Sequence, residues 1–359
     1  MVKFLIKRLG YGFLVLLGVI TVVFLLFNVL PGDPARMMLG ARADQASIDA
    51  IHRDLGLDRP VAVQYAMYLN DLSPISLHAK EDKDHFLFLS PRKITNYTVL
   101  IRFADTKIII LKAPYLRRSY QSKRLVSEII IEALPETAIL AATSMTFATI
   151  LGILLGILSA IKRYSFFDNA SLVFAVLGMS APSFFSGIII AWLFGYEWSD
   201  WTGLNMTGSL FTIDPFEGEI LTLKNLILPA LTLGIRPLAI IVQLTRSSLL
   251  DVLSQDYIRT AKSKGLSFYS VIFKHALKNA LNPVITTLSG WFASLLAGAV
   301  FIEYIFGWKG IGKELFDSLE RYDFPVAMGV TLFLAAVFVI VNILVDIVYA
   351  ILDPRVRLQ

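Results

Sequence analysis

Residues 326–352 read VAMGVTLFLAAVFVIVNILVDIVYAIL, with Asp346 the single charge in the run. A helix crossing a hydrocarbon layer of about 30 Å takes about 20 apolar residues. This run is long enough. Lipid offers the backbone no water to bond, so the run has to be helical. Five more runs of this kind precede it, at 10–30, 138–161, 172–194, 226–244 and 284–302. Together they predict an all-α polytopic membrane protein with six transmembrane helices. The composition agrees: 56% of the 359 residues are hydrophobic and 17% are charged, too apolar for a water-soluble chain of this size. The chain has no cysteine, which excludes disulfides and thiolate chemistry.

The net charge of +5 would raise nucleic acid binding in a soluble chain. Here the basic residues have a topological use instead, and no nucleic acid partner is expected. Placing the N-terminus inside puts Lys3, Lys7, Arg8, Lys162, Arg163, the basic stretch 246–278, Arg355 and Arg357 in the cytoplasm. The short outside loops then keep only Lys224, Lys309, Lys313 and Arg321, as the positive-inside rule requires. Both termini are expected in the cytoplasm. The first run is too long for a signal-peptide core and no small-residue cleavage site follows it, so it reads as an uncleaved span.

Three regions follow: an N-terminal helix (1–30), an extracytoplasmic subdomain (31–137), and a five-helix core (138–359) carrying a basic loop at 246–283. In the outside region, 46–55 and 60–69 have short amphipathic helical patterns, and Pro60 suits a first helical position. The stretches 86–89, 98–103 and 107–112 are rich in branched and aromatic residues and read as strands, with a turn at 104–106. This small α/β element reads first as a cap on the outer face and second as a docking surface for a partner.

The loop after the fourth run is the most distinctive part of the chain. It reads Asp256-Tyr257-Ile258-Arg259-Thr260-Ala261-Lys262-Ser263-Lys264-Gly265-Leu266-Ser267 and continues to His275-Ala276-Leu277-Lys278-Asn279-Ala280-Leu281-Asn282-Pro283. Physically this is a short helix, a glycine break and a second basic amphipathic helix. Gly265 suits a left-handed C-terminal cap and Ser267 an N-cap. Two readings stand on pattern alone: an interfacial helix whose lysines meet anionic lipid, and a knob for a soluble partner's groove.

This segment resembles the Glu-Ala-Ala loop of ABC importer permeases in the dipeptide, oligopeptide and nickel branch. Arg259-Thr260-Ala261 and Gly265 fall on its Glu-Ala-Ala-x-x-x-Gly core, with Arg259 in place of the acid, as is common in the peptide branch. Further matches are Leu30-Pro31-Gly32-Asp33-Pro34, Leu228-Pro229-Ala230-Leu231, Leu244-Thr245-Arg246-Ser247-Ser248, Gly307-Trp308-x-Gly310-x-Gly312 and Asp353-Pro354-Arg355. Residues 73–114 look like an insertion, and the family pattern resumes near Arg118-Ser119-Tyr120. The resemblance implies a permease subunit for di- or oligopeptides. It would work with a second permease subunit as a heterodimer, two cytoplasmic ATP-binding subunits and an extracytoplasmic substrate-binding protein. A coupling helix at about 256–266 would sit in a groove on one ATPase. Asp256, Tyr257, Arg259, Thr260, Ala261, Lys262, Lys264, Gly265 and Leu266 are its ATPase-coupling residues, with Thr260, Ala261 and Gly265 small enough for close contact.

Within the spans Arg236 stands out, because a charge near mid-membrane costs at least about 2.5–3.5 kcal/mol. It either lines the substrate pathway or pairs with an acid such as Asp346. Ser180, Ala181, Pro182, Ser183 and Gly178 interrupt the third run. They read chiefly as small packing residues, with Ser180 and Ser183 the candidates for a kink beside the pathway. Residues 307–313 have phosphate-loop spacing, yet Glu314 replaces the required Ser or Thr and no strand precedes them. The four histidines make no metal-ligand spacing, and no hydrolase motif occurs. No catalytic residue, metal or cofactor is therefore expected, and ATP hydrolysis falls to partner chains. The rival class is a secondary transporter or channel not driven by ATP. A secondary transporter calls for internal repeats and paired acids in the spans, neither of which the sequence offers.

Overall fold

The computed structural model describes residues 2–28, 44–46, 48–49, 52, 56–80, 85, 87–89, 94, 96–103 and 107–352. The Pro-Gly-Asp-Pro segment at 31–34, most of the helical pattern at 46–55, the turn at 104–106 and the C-terminal motif at 353–355 lie outside them.

Four described helices are long and apolar enough to cross a membrane: α1 (Val2–Asn28), α3 (Val126–Ile161), α7 (Lys224–Leu253) and α14 (Phe324–Leu352). A fifth candidate is broken. The run 172–194 is α4 (Phe166–Ser180) followed by α5 (Ser183–Trp192), which continues as a π turn through Glu197. The two arms are bent by 111°. Pro182 has no N–H to give the α4 ladder, and it forces Ala181 into extended backbone (φ −72°, ψ 130°). The packing expectation holds for Gly178, where a Cβ would lie 2.9 Å from Ile235 Cγ2. The 181–182 step is a break. The run 284–302 is also divided, into α11 (Asn282–Gly298) and α12 (Val300–Phe306), with Ala299 between them.

The chain forms two compact units. The smaller unit holds residues 13–132 and 314–335. Its α2 (Val61–Leu72) starts one residue later than the sequence suggests, with Pro60 just outside the helix. Three antiparallel strands, β1 (Ile75–Ala79), β2 (Tyr97–Phe103) and β3 (Lys107–Lys112), make a sheet in the order β1-β3-β2. β1 is not among the strands predicted above, whereas β2 and β3 are. The predicted strand at 86–89 contributes a single bridge, from Phe88 to Ala79. Asn70 fastens β1 to α2 with two 3.0 Å bonds to the Leu77 backbone. Burial pushes the Lys112 pKa down, and the ammonium donates to the Asp71 carbonyl. Phe24, Tyr68, Val23, Met328 and Leu332 form a core among α1, α2 and α14. At the foot of α14, Asp323 takes bonds from Ser119 Oγ and the Tyr120 N–H (2.9 Å). This contact gives the Ser119 of the Arg118-Ser119-Tyr120 motif a partner 204 residues away.

The larger unit holds residues 1–12, 133–313 and 336–359. Its core lies between α3, α5, α7, α11 and α12, around Leu140, Ala191, Leu228, Ile302, Phe306 and Trp308. A short helix α6 (Ser199–Thr202) and a hairpin of β4 (Phe211–Asp214) and β5 (Gly218–Leu221) join α5 to α7. The motif at 307–312 closes this end. Gly307 takes φ +66° after α12, Trp308 is fully buried with its Nε1 donating to the Glu136 carbonyl (3.0 Å), and α13 (Ile311–Glu320) begins. The N–H groups of Gly312 (2.7 Å) and Lys313 (3.1 Å) grip the buried carboxylate of Glu303, which also accepts from Thr137 Oγ1 (2.7 Å). The backbone donors whose spacing resembles a phosphate loop are thus used by a carboxylate of the same chain.

A Cβ on Gly312 would come within 2.4 Å of Val300 Cα, which is backbone and cannot yield cheaply. Gly312→Ala is therefore expected to destabilise the fold by about 1–3 kcal/mol. The thermal midpoint of the detergent-solubilised protein, compared with that of Gly18→Ala (in a helix, where a Cβ meets nothing within 4 Å), measures it.

Candidate functional site

The loop that carries the motif is rigid on one side and open on the other. α7 ends at Leu253, Ser254 and Gln255 make a bonded turn, and α8 runs from Asp256 to Ser263. Ile258 and Ala261 lie three positions apart, on one helical face. Both are buried, in a cluster with Ile157, Ala160, Leu249, Val271, Ile272, Ala276 and Ala280. Asp256, Tyr257, Arg259, Thr260, Lys262, Lys264, Gly265 and Leu266 are exposed. The small size of Ala261 serves packing within this chain. Gly265 has φ +77° and open space around its Cβ position, so it is needed for backbone conformation rather than close approach. Arg259 pairs with Asp256 at 3.6 Å, with both side chains exposed, and such a pair contributes little.

Ser267 caps the next segment, accepting from the Ser270 N–H. A short α9 (Phe268–Ser270), a π turn (Val271–Ala276) and α10 (Leu277–Ala280) follow. Their inner face joins the same cluster. Phe268, Tyr269 and Phe273 face outward, Tyr269 with 74% of its surface exposed. Asn279 Nδ2 donates to Tyr257 Oη (2.9 Å) and ties α10 to α8.

Near this loop lies a buried ion pair. Arg246, about two turns before the end of α7, donates from Nε (2.6 Å) and Nη2 (2.8 Å) to the two oxygens of Asp168 in the first turn of α4. The same carboxylate accepts from Ser159 Oγ near the end of α3 and from the Tyr164 N–H (2.9 Å). Asp168 is fully buried. Tyr164 adopts φ +64°, which lets the 162–165 turn point its N–H inward.

The pathway candidates meet on neighbouring turns. Gly178 and Gly187, on either side of the break, pack on Ile235 and Thr232 of α7. This places the break carrying Ser180 (exposed) and Ser183 (half-buried) beside the turn that precedes Arg236. Arg236 is exposed and has no ion pair among the described residues. Asp346, its suggested partner, bonds Arg8 instead at 3.0 Å. Pro237 has no N–H, so it leaves the Leu233 carbonyl without its usual helical donor in the same region.

Asp168 is the residue that the motif reading misses. Ser165-Phe166-Phe167-Asp168 before an apolar run is a helix-start signature. Ser165 does cap α4, accepting from the Asp168 N–H (3.2 Å). The pairing with a residue 78 positions on has no local signal. Glu303 is hidden for the same reason.

Two family models match the chain. One, described as binding-protein-dependent transport system inner membrane component, covers residues 152–358; its N-terminal counterpart covers residues 1–80. A di/tripeptide transport system permease protein of Pseudomonas aeruginosa is 35% identical, with all of both chains covered. A dipeptide transport system permease protein of Escherichia coli is 34% identical over 99% of each chain. A solved amino acid ABC transporter aligns at 15% identity over 64% of this chain and 94% of that one, with a TM-score of 0.44.

Because Ala261 faces the cluster, Ala261→Trp is expected to overpack it and cost about 1–3 kcal/mol. Lys262→Trp, on the open face, is expected to leave stability within about 0.5 kcal/mol of the parent. Yield and thermal midpoint of the two purified variants decide between this and a fully solvent-facing Ala261.

Proposed function

We propose, from the premise that this chain belongs to the binding-protein-dependent transport system inner membrane components, that it is a permease subunit of an ABC importer for di- and oligopeptides. It is a multi-pass inner-membrane protein and a transport subunit rather than an enzyme, with ATP hydrolysis carried out by separate subunits. The peptide reading draws on relatives named as dipeptide and peptide permeases whose likeness runs the full length of the chain.

The finer reading is as follows. The chain crosses six times, with α11 and α12 as one crossing and the bent α4–α5 pair as another, and both termini lie in the cytoplasm. It pairs with a second, related permease, binds two ATPases, and receives substrate from an extracytoplasmic binding protein. α8 is the coupling helix. The observation that carries this is its two-sided character: Ile258 and Ala261 key it into the bundle, while Tyr257, Thr260, Lys262, Lys264 and Leu266 stand clear. Phe268, Tyr269 and Phe273 extend the open side with apolar surface suited to a protein groove. A partner that moves α8 moves α7 with it, because only two bonded residues separate them. Arg236, Ser180 and Ser183 line the pathway, where an unpaired arginine suits the carboxylates of a peptide.

Two measurements test this. The chain has no cysteine, so Lys264→Cys gives a single labelling site. It is expected to be blocked by a membrane-permeant maleimide only, and to cross-link to a copurifying ATPase; labelling from outside would sink the topology. Arg236→Leu is expected to assemble normally and to lose uptake of labelled dialanine about tenfold or more, the scale of a lost charge-assisted contact. Unchanged uptake would remove Arg236 from the pathway.

A further inference from the structure

We propose that Asp168 is a positioning residue for transport: by locking α4 to α7, it makes a push on α8 arrive at the Ala181–Pro182 break and at Arg236 as one rigid movement. The proposal rests on the coupling reading of α8.

Four donors converge on this carboxylate from three directions. Arg246 supplies two from α7, Ser159 one from the end of α3, and Tyr164 one from the turn between α3 and α4. A two-pronged guanidinium–carboxylate contact has one geometry, whereas apolar side chains slide past each other. Its worth is therefore geometric. Buried pairs add little net stability, because desolvation offsets their attraction.

The lock sits where a lever needs it. Arg246 lies on the last turns of α7, and Ser254 and Gln255 pass directly into α8 through bonds to Asp251 and Val252. Higher up, Gly178 lets α4 press against Ile235, one residue before Arg236. The two attachments, at Arg246 and Ile235, are about 17 Å apart along α7 at 1.5 Å per residue. α4 is thus pinned to α7 at both ends and then breaks at Pro182. A shift of α7 carries all of α4 with it and must be taken up at the break. Without the lower pin, α7 can move while the foot of α4 stays behind.

The experiment uses the full complex of this chain with its second permease, ATPases and binding protein, in proteoliposomes. Asp168→Asn and Arg246→Lys remove the two-pronged contact; Ser247→Ala, beside Arg246 but bonded only to the carbonyls of Gln243 and Leu244, is the control. Uptake of labelled dialanine per ATP hydrolysed is measured. A distance between spin labels at Leu177→Cys on α4 and Lys264→Cys beyond α8 is read with and without ATP. Both pair variants are expected to assemble and hydrolyse ATP, with uptake per ATP lowered at least about tenfold, within the usual range of coupling between sites. Their label distances are expected to spread on adding ATP, while the parent and the control stay narrow. Equal uptake per ATP in both pair variants, or distances as narrow as in the parent, overturns the proposal. So does failure of both variants to assemble, which would make the pair a folding element only. If Lys264→Cys never cross-links to an ATPase, the coupling reading fails by itself, and the label distances still decide whether α4 and α7 are locked.

Discussion

A carboxylate taken out of water must be met by donors on several sides, and this chain is organised around three that are. Asp168, Glu303 and Asp323 are all buried. Each accepts from a serine, threonine or arginine side chain and from at least one backbone N–H of a turn. Burying an unpaired charge costs several kcal/mol, so each acid dictates where its turn must lie. Between them they fix the foot of α4, the start of α13 and the foot of α14. The apolar runs supply the helices, and the acids decide how the ends of those helices are joined.

The membrane imposes the complementary rule, that backbone groups satisfy one another. The chain departs from it at a few places: the step at Ala181–Pro182, the interruption at Ala299, and the prolines of α7 at 229 and 237. Such departures are tolerated where protein or a polar passage covers them. The first lies against the turn before Arg236. The broken helix, the Leu233 carbonyl that Pro237 leaves without its helical donor, and an arginine with no ion pair among the described residues therefore gather at one level of α7, on the helix that leads straight to α8.

How much of this is legible in the sequence follows from the length scale of each feature. A span is a sum over about twenty residues, so one charge such as Asp346 does not hide it. The 111° bend rests on one residue, Pro182, inside an otherwise continuous run, and hydropathy passes over it. β4 and β5 have four residues each, too few for alternation to register. β1, reading Ile-Ser-Leu-His-Ala, alternates well, but it sits just after α2 with no turn signal of its own. Glycines 307, 310 and 312 are visible as a motif, yet their purpose depends on Glu303, Thr137 and Val300. The inward face of α8 is present as Ile258 and Ala261 at helical spacing. Small size alone does not tell whether an alanine serves its own chain or a partner.

The tie between Arg8 and Asp346 concerns how the protein is made. On α1, Gly12 is fitted against α14, where a Cβ would stand 2.8 Å from Val339 Cγ1, and Arg8 meets Asp346 at 3.0 Å. α14 is made about 300 residues after α1, a delay of tens of seconds at about 5–20 residues per second. Until then the first helix waits in the bilayer with the notch at Gly12 unfilled. The fit between the two helices is made only once α14 has been inserted.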